Sequence, residues 1–318
     1  MLTKKNENYC SIDGNLYNKR ATTLIKYAIG KQDTTFNIPD SVNIVGMGAF
    51  SECTSLTKLI IGNSVTSIGD SAFSECTSLT SINIPNSVSN INGNPFYRCC
   101  SLTNIEVDEN NGNYCSIEGN LYNKDVTTLI QYAVAKTDTT FTIPDTVTSI
   151  GEYAFFNCEQ LKSIEISNSV TIIGWAAFSG CTSIINIVIP DSVTYIDYSA
   201  FSNCSSLTRV EIGDNSNLRG IGEEAFAGCE SLAYILIPDF VTIIDSKAFN
   251  YCTLLTSIEI PNSVTSIGYW TFRNCTLLTK ITFEGTIEQW NAIEKGEEWN
   301  YNIPATEVIC SDGTVPLN

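Results

Sequence analysis

The amino-acid sequence predicts a solenoid of the α/β type, mostly β, in which short parallel strands stack coil upon coil. A Phe followed three residues later by a Cys recurs nine times along the 318 residues, at Phe50, Phe73, Phe96, Phe155, Phe178, Phe201, Phe226, Phe249 and Phe272. Neighbouring positions are 23 residues apart, except for one step of 25 and one of 59. A period in the twenties is typical of stacked repeats.

One coil is represented by the segment CTLLTSIEIPNSVTSIGYWTFRNC, residues 252–275. Ile258 and Ile260 alternate with a Glu, which predicts a short strand with its Ile side facing the core. Pro261 cannot donate a ladder hydrogen bond and marks the strand end. Val264 begins a second extended run. Equivalent residues of stacked coils would lie about 4.8 Å apart, so we expect one continuous core stabilised by contacts between neighbouring coils.

Most of the thirteen cysteines share one slot of the repeat. The nine in the slot three residues after the Phe are Cys53, Cys76, Cys99, Cys158, Cys181, Cys204, Cys229, Cys252 and Cys275. A disulfide scaffold or a metal array is one interpretation. A buried ladder of reduced thiols is the other, and we favour it, because the coil spacing exceeds the Cβ separation of a disulfide, about 3.8 Å. Cysteine is also among the most frequently buried residue types.

Two segments interrupt the period and nearly repeat each other at an offset of 105 residues, starting at Tyr9 and Tyr114. In each, an acidic residue followed by Gly separates YCSI from NLYNK, which predicts a β-hairpin, and TTLI adds a third strand. The tail reads as a short amphipathic helix around Trp290 and a strand ending at Cys310. The predicted domains are an N-terminal meander cap (1–35), coils (36–107), a second meander (108–140), coils (141–285) and a C-terminal cap (286–318).

Composition excludes several function classes. The net charge of −17 repels nucleic acid and anionic lipid, and no apolar run approaches the length of a membrane helix. The chain has no His, which removes the usual general base and the commonest metal ligand. We therefore expect no enzyme, no cofactor and no metal site. Catalysis by a carboxylate pair remains formally possible, since Asp and Glu are plentiful.

The repeat LTSIEIPNSVTSIGYWTFRNC resembles the BspA-like leucine-rich repeat, a 23-residue variant with the pattern Leu-x-x-Ile-x-Ile-Pro … Val-x-x-Ile-Gly-x-x-Ala-Phe-x-x-Cys. The match covers roughly residues 36 to 285 apart from the second meander, and the meanders and tail are similar to accessory segments of that family. The resemblance implies a right-handed leucine-rich-repeat superhelix. It also implies a surface or secreted protein of a host-associated microbe with a role in adhesion, without naming a partner.

Two surfaces are candidate partner-binding sites, because solenoids bind through non-core positions of successive coils. The first is the outward side of the strands, where the candidates are Val188, Arg209, Glu211, Tyr234, Leu236 and Glu259. The second is the loop before each Phe, where the aromatic candidates are Tyr153, Trp175, Tyr198, Tyr269 and Trp270. Each has an alternative interpretation, since the strand residues also suit an ordinary solvated face and the loop aromatics also suit packing on the coil edge.

The function that these patterns favour is a non-catalytic repeat protein that binds a protein or a glycan. The alternatives are a structural spacer without a ligand and, third, a glycan-acting enzyme with paired carboxylates. We expect a monomer that neither binds nucleic acid nor inserts into a membrane. The resemblance favours an extracellular or cell-surface location. The opening residues MLTKKNENYCSIDG lack the apolar run of a signal peptide, which leaves a cytoplasmic location open.

Overall fold

Short parallel strands, paired in register between consecutive coils, make up most of the chain. The computed structural model describes residues 6–213 and 215–317. They belong to two units, an N-terminal unit up to Lys136 and a C-terminal unit from Thr137. Each unit is a mostly β solenoid, so the predicted fold is confirmed.

The N-terminal unit contains two kinds of parallel strand, longer ones and two-residue ones, and an antiparallel meander at each end. Its strands are β1 (Tyr9–Ile12), β2 (Asn15–Asn18), β3 (Thr23–Lys26), β4 (Thr35–Asn37), β5 (Ile44–Val45), β6 (Lys58–Ile60), β7 (Ser67–Ile68), β8 (Ser81–Ile84), β9 (Asn90–Ile91), β10 (Asn104–Val107), β11 (Tyr114–Ile117), β12 (Asn120–Asn123) and β13 (Thr128–Gln131). One sheet has the order β1-β2-β3-β5-β7-β9, and another has the order β10-β8-β6-β4. The meanders β1-β2-β3 and β11-β12-β13 are antiparallel, as the acidic-Gly turns predicted.

The C-terminal unit alternates longer and two-residue strands in the same way. Its elements are β14 (Thr140–Thr142), β15 (Ser149–Ile150), β16 (Ser163–Glu165), β17 (Ile172–Ile173), β18 (Asn186–Ile189), β19 (Tyr195–Ile196), β20 (Arg209–Ile212), β21 (Gly220–Ile221), β22 (Tyr234–Ile235), β23 (Ile243–Ile244), β24 (Ser257–Ile260), β25 (Ser266–Ile267), β26 (Lys280–Phe283), α1 (Ile287–Ala292), β27 (Glu294–Lys295), β28 (Glu307–Cys310) and β29 (Gly313–Pro316). The orders are β14-β16-β18-β20-β22 and β24-β26-β28-β29 for the longer strands, and β15-β17-β19-β21-β23-β25-β27 for the short ones.

The register of these sheets follows from the repeat length. Ile187 of β18 pairs with Val210 of β20, which lies 23 residues later. Arg209 of β20 pairs with Tyr234 of β22, which lies 25 residues later, because the loop after β20 is two residues longer. Leu218 ends that loop and is fully buried, so it fills the core position that Val occupies in the other coils.

A column of stacked phenylalanines runs beside the buried Ile residues. In the C-terminal unit the rings of Phe178 and Phe201 lie 5.1 Å apart with only 3° between their planes. The rings of Phe226 and Phe249 lie 5.6 Å apart at 6°. Because the ring spacing is close to the spacing between coils, each inner Phe of the column is covered on both faces by its equivalents, and the column adds aromatic contacts to the core.

Two threonine ladders run along the coils, one at the residue just before the longer strands and one at the residue just before the short strands. The hydroxyl of Thr208 donates to the carbonyl of Ile185 at 3.1 Å, and that of Thr242 donates to the carbonyl of Arg219 at 3.1 Å. Both bonds connect residues that are 23 positions apart. The recurring Thr therefore ties each coil to the coil before it, in addition to the strand hydrogen bonds.

The nine cysteines of the repeat slot form the buried ladder that the sequence predicted. The thiol of Cys181 donates to the carbonyl of Phe155 at 3.1 Å, and the thiol of Cys252 donates to that of Phe226 at 3.2 Å. Burial raises the pKa of Cys53 to about 11 and the pKa values of Cys76, Cys158 and Cys275 to about 12. Burial likewise raises the pKa values of Cys99, Cys181, Cys229 and Cys252 well above the usual value of 9.0.

Thiol alkylation at pH 8 should distinguish this ladder from the exposed Cys100. We expect iodoacetamide to modify Cys100 in the native protein and to leave the nine ladder positions unmodified, because the reactive thiolate is suppressed by burial and reagent access is blocked. In denaturant all of them should react. Peptide mass spectrometry reads each position separately, and a ladder cysteine found in a disulfide, or alkylated as fast as Cys100, would contradict the prediction.

The C-terminal tail forms an imperfect further coil. Helix α1 begins after Thr286, whose side chain and Gln289 make a reciprocal capping box. Strand β27 then pairs in parallel with β25, and the backbone amide of Phe272 donates to the carbonyl of Trp299 at 2.8 Å. The tail was predicted as a helix and a strand that leave the repeat. It contains both, and between them Lys295 to Asn302 continue the coil path.

Candidate functional site

The strand-face candidates lie together on the outward side of the longer strands of the C-terminal unit. Val188 pairs with Glu211, and Arg209 pairs with Tyr234 on the next strand. A further bridge joins Leu236 to Glu259. All six side chains are exposed, because successive residues of a strand point to opposite sides and their neighbours in sequence fill the core. We call Val188, Arg209, Glu211, Tyr234, Leu236 and Glu259 the long-strand patch.

A shallow depression of about 720 Å³ opens between these side chains, and every member of the long-strand patch except Glu259 lines it. Val188 is 54% exposed and Tyr234 is 49% exposed. Arg209 Nε lies 3.2 Å from Glu211 Oε1, two residues further along the same strand. In so exposed a place the ion pair contributes little stability. The backbone pairing of Arg209 with Tyr234 places the two residues side by side on neighbouring strands. The patch thus joins apolar, aromatic and charged groups on a rigid sheet.

The described residues that line this depression do not offer the pair of carboxylates that a glycan-acting enzyme would need. The acidic residue among them is Glu211, which is already paired with Arg209. A second depression, of about 520 Å³, lies on the longer strands of the N-terminal unit, and its lining includes Glu106 and Asp108. Glu106 accepts a hydrogen bond from the amide of Asn104 at 2.9 Å. These are the nearest candidates for the enzyme alternative, which stays a hypothesis.

The aromatic loop candidates contact one another in two clusters. The rings of Tyr153 and Trp175 lie 5.8 Å apart, and those of Trp175 and Tyr198 lie 5.3 Å apart, edge to face. In the second cluster Tyr269 and Trp270 lie 5.4 Å apart. The contacts within each cluster favour the interpretation that these aromatics pack along the coil edge, although Trp175 keeps 42% of its surface exposed.

Hydrogen bonds and an ion pair link the loop residues that lie between the two aromatic clusters. The hydroxyl of Tyr198 donates to Glu224 at 3.2 Å, and Lys247 Nζ lies 2.8 Å from the same carboxylate. Burial raises the pKa of Glu224, but the hydrogen bonds from Lys247, Tyr198 and Ser199 outweigh it and hold the pKa below its usual value. Lys247 also lies 5.5 Å above the Tyr269 ring. The loop therefore forms a linked polar and aromatic edge whose main contacts are internal.

A third exposed surface was missed in the sequence. Along the outward side of the short strands, Tyr195 pairs with Gly220, and Gly220 pairs with Ile243. Ile172 precedes Ile173, which pairs with Ile196, so it lies on the same side one coil before Tyr195. Ile172 is 55% exposed and Ile243 is 41% exposed. The sequence did contain a signal for this surface. Ile172, Tyr195, Gly220 and Ile243 occupy the slot just before the core residue of each short strand, and in most other coils that slot holds Ser, Asn or another polar residue. We call Ile172, Tyr195, Gly220 and Ile243 the short-strand row.

Within residues 6–213 and 215–317, no cluster of three or more Cys, Asp or Glu is arranged to hold a metal ion. Over the same residues, no helix has the length and apolar character needed to cross a membrane.

The repeat is matched by a known family model. The model described as the BspA type leucine rich repeat region matches residues 29–137, 127–255 and 214–294. The chain belongs to this family. The BspA-type match covers the coils, the second meander and the first part of the tail, and it confirms the resemblance seen in the repeat pattern. Leucine-rich-repeat solenoids are generally non-catalytic.

Solved structures of bacterial repeat proteins have the same fold. A leucine-rich repeat protein from Eubacterium ventriosum is 25% identical, with a TM-score of 0.70, over 95% of this chain and 94% of that one. A leucine-rich cell surface protein from Faecalibacterium prausnitzii is 36% identical, with a TM-score of 0.61, over 82% of this chain and 62% of that one. A leucine-rich repeat protein from Bacteroides ovatus is 28% identical, with a TM-score of 0.56, over 85% of this chain and 66% of that one. No curated protein matches the chain.

Proposed function

We propose that this BspA-type repeat protein is a non-catalytic binding protein that holds a protein partner, or alternatively a glycan, on the long-strand patch. The observation that carries the proposal is the depression of about 720 Å³ between Val188, Arg209, Tyr234 and Leu236. Exposed aromatic and Arg side chains beside aliphatic ones are the composition that binding hot spots favour. The sheet beneath them is rigid, so little ordering accompanies binding.

Location at a cell surface is part of the same proposal. It is supported by the relative from Faecalibacterium prausnitzii, which is described as a cell surface protein and is 36% identical over 82% of this chain. Adhesion to a host or microbial protein would suit that location. The acidic residues Glu211 and Glu259 at the patch would attract a basic partner, so association should weaken as salt is raised.

The proposal is tested by a binding screen against purified host matrix proteins and a glycan array, followed by paired variants. We expect Tyr234→Ala/Leu236→Ala to weaken binding of any hit at least ~10-fold, because it removes the aromatic and aliphatic contacts of the patch. Trp175→Ala/Tyr198→Ala, in the loops, should leave binding within about twofold. Surface plasmon resonance gives the affinities, and circular dichroism confirms that both variants remain folded.

Two results would contradict the proposal. Loss of binding in the loop variant with retention in the strand variant would move the site to the loops. Absence of binding across the whole screen would favour the spacer alternative.

A further inference from the structure

In the short-strand row, the ring of Tyr195 occupies the space that a side chain at Gly220 would fill. Gly220 does not adopt a left-handed backbone conformation, so its backbone could accept another residue. A Cβ at Gly220, however, would lie 2.5 Å from Cε2 of Tyr195. The missing side chain lets the tyrosine ring lie across the neighbouring coil. The ring thereby bridges the gap between Ile172 and Ile243, and the row becomes a continuous apolar strip over four coils.

Two carboxylates flank this strip at a slot where a side chain is unfavourable. The slot after the second core Ile is Gly in most coils, and a Cβ at Gly222 would lie 2.7 Å from the carbonyl oxygen of Ile196. Asp197 and Asp245 occupy the same slot on the coils before and after Gly222. Departures from a repeat's local rule tend to mark functional positions.

The charge of these carboxylates is not balanced locally. One oxygen of Asp197 accepts the amide of Tyr198, and one oxygen of Asp245 accepts the amide of Ser246. Among the residues that the structure describes, no Lys or Arg side chain makes an ion pair with either carboxylate. Both carboxylates, after burial, contribute to raising the pKa of the Tyr195 hydroxyl, so they lie close enough to the ring for their fields to act on it.

Arg219, the cationic residue nearest in sequence to this strip, packs against Phe240 and does not pair with the two carboxylates. Arg219 precedes Gly220, and its guanidinium lies 4.9 Å from the centre of the Phe240 ring. Its Nη1 also donates to the carbonyl of Leu218 at 3.5 Å. Arg219 is thus held against Phe240, while the acidic groups remain beside the apolar strip.

We propose that the short-strand row, with Asp197 and Asp245 at its rim, is a second docking surface that binds a basic polypeptide segment in which Lys or Arg alternates with apolar residues. An extended segment presents alternate side chains to one face. The apolar residues of such a segment would cover Ile172, the Tyr195 ring and Ile243. Its Lys or Arg side chains would start on the other side of the backbone, and their long stems would reach back to the two carboxylates at the rim. This surface is independent of the long-strand patch, so it does not rest on the proposed function.

The test uses the full chain and a defined probe, a capped seven-residue peptide in which lysine alternates with phenylalanine and isoleucine. Isothermal titration calorimetry in low salt should detect binding of this peptide and much weaker binding of the same peptide with glutamate in place of lysine. Binding should weaken at least ~10-fold in Ile172→Ser/Ile243→Ser. It should weaken roughly fivefold in Asp197→Asn/Asp245→Asn.

Two matched controls distinguish binding at the short-strand row from non-specific binding to other exposed apolar side chains. Leu254→Ser/Leu277→Ser removes two exposed apolar side chains outside both surfaces and should leave peptide binding unchanged. Gly220→Ala should displace the Tyr195 ring and weaken binding several-fold, whereas Gly112→Ala, where a Cβ would meet no atom within 4 Å, should have no effect.

Several outcomes would overturn the proposal. These are no peptide binding at millimolar concentration, equal binding of the acidic peptide, and retention of binding in a folded Ile172→Ser/Ile243→Ser variant. Equal weakening by the Leu254→Ser/Leu277→Ser control would also overturn it, because binding would then not be specific to the row.

Discussion

Raising the pH from 8 to 10.5 should unfold this protein, and the buried thiols should account for most of the loss. Burial raises the pKa of the Cys53 thiol to about 11 and those of Cys76, Cys158 and Cys275 to about 12, and it raises those of Cys99, Cys181, Cys229 and Cys252 well above the usual value. These eight thiols therefore stay neutral in the folded state. In the unfolded chain they ionise near the usual value of 9.0. Above that pH the unfolded state binds fewer protons than the folded state, so the free energy of unfolding falls as pH rises.

The expected size of this effect is large because the ladder is repeated. Between pH 9 and the folded-state pKa, each buried thiol lowers the free energy of unfolding by about 1.4 kcal/mol per pH unit. Summed over the eight thiols whose pKa is raised, the loss is on the order of 10 kcal/mol within one pH unit, which is comparable with the whole stability of a typical domain. Below pH 8 the contribution should be fully present and the stability nearly flat with respect to these groups.

Urea denaturation followed by circular dichroism at pH 7 and pH 10, under reducing conditions, measures the drop. Cys229→Ala/Cys252→Ala should reduce the drop between the two pH values by about 1.4 kcal/mol per thiol removed, whatever the cost of the substitutions at pH 7. Cys100→Ala, at an exposed position, should leave the drop unchanged. A wild-type protein equally stable at both pH values would contradict the prediction, as would an unchanged drop in the double variant.

Ile187→Asp should cost about 4 kcal/mol or more in the free energy of unfolding, enough to unfold the C-terminal unit partly at room temperature. Ile187 is 1% exposed and pairs with Val210 in the middle of the longer strands. The substitution removes a large apolar group and places an unpaired carboxylate between two coils. Chemical denaturation of the purified variant gives the difference.

The control for this substitution lies one residue away. Val188 points outward, so Val188→Asp, which adds the same charge, should change stability by less than about 1 kcal/mol. Glu165→Ala, on the same outward face, should change it by less than about 0.5 kcal/mol. Equal losses for Ile187→Asp and Val188→Asp would mean that the inward and outward sides of the strands have been assigned the wrong way round.

The fold could be predicted from the sequence because every coil repeats the same information. The alternation around Glu259, the strand end at Pro261 and the Phe and Cys slots each recur at one spacing. A strand or turn that is ambiguous in one coil is therefore identified by the same pattern in the other coils. The extra coil in the tail could not be predicted in this way. Lys295 stands where other coils carry a core Ile, and Trp299 stands where they carry a small residue, so the apolar pattern that marks a coil is absent.

The candidate surfaces were predicted less completely than the fold. The long-strand patch could be placed because strand alternation alone decides which residues face outward. The short-strand row was missed because its continuity depends on where the Tyr195 ring lies, and only a structure shows that the ring covers Gly220. The contacts that Tyr198 and Lys247 make with Glu224 join consecutive coils, but they could not be predicted either, because the direction of side chains in such loops has no periodic signal.

Each threonine ladder bears on how the gene of such a protein can change length. Each of its bonds links one coil to the next across 23 positions, as from Thr208 to Ile185, so excising or duplicating one whole coil leaves every partner matched at the new junction. An in-frame change of another length keeps the strand, ring and thiol columns aligned only where the extra residues are taken up by a loop, as in the longer connection after β20. Recombination that adds or removes whole repeats therefore preserves the contacts between coils. Solenoids of this kind can thus differ in length while each inner coil keeps the same surroundings.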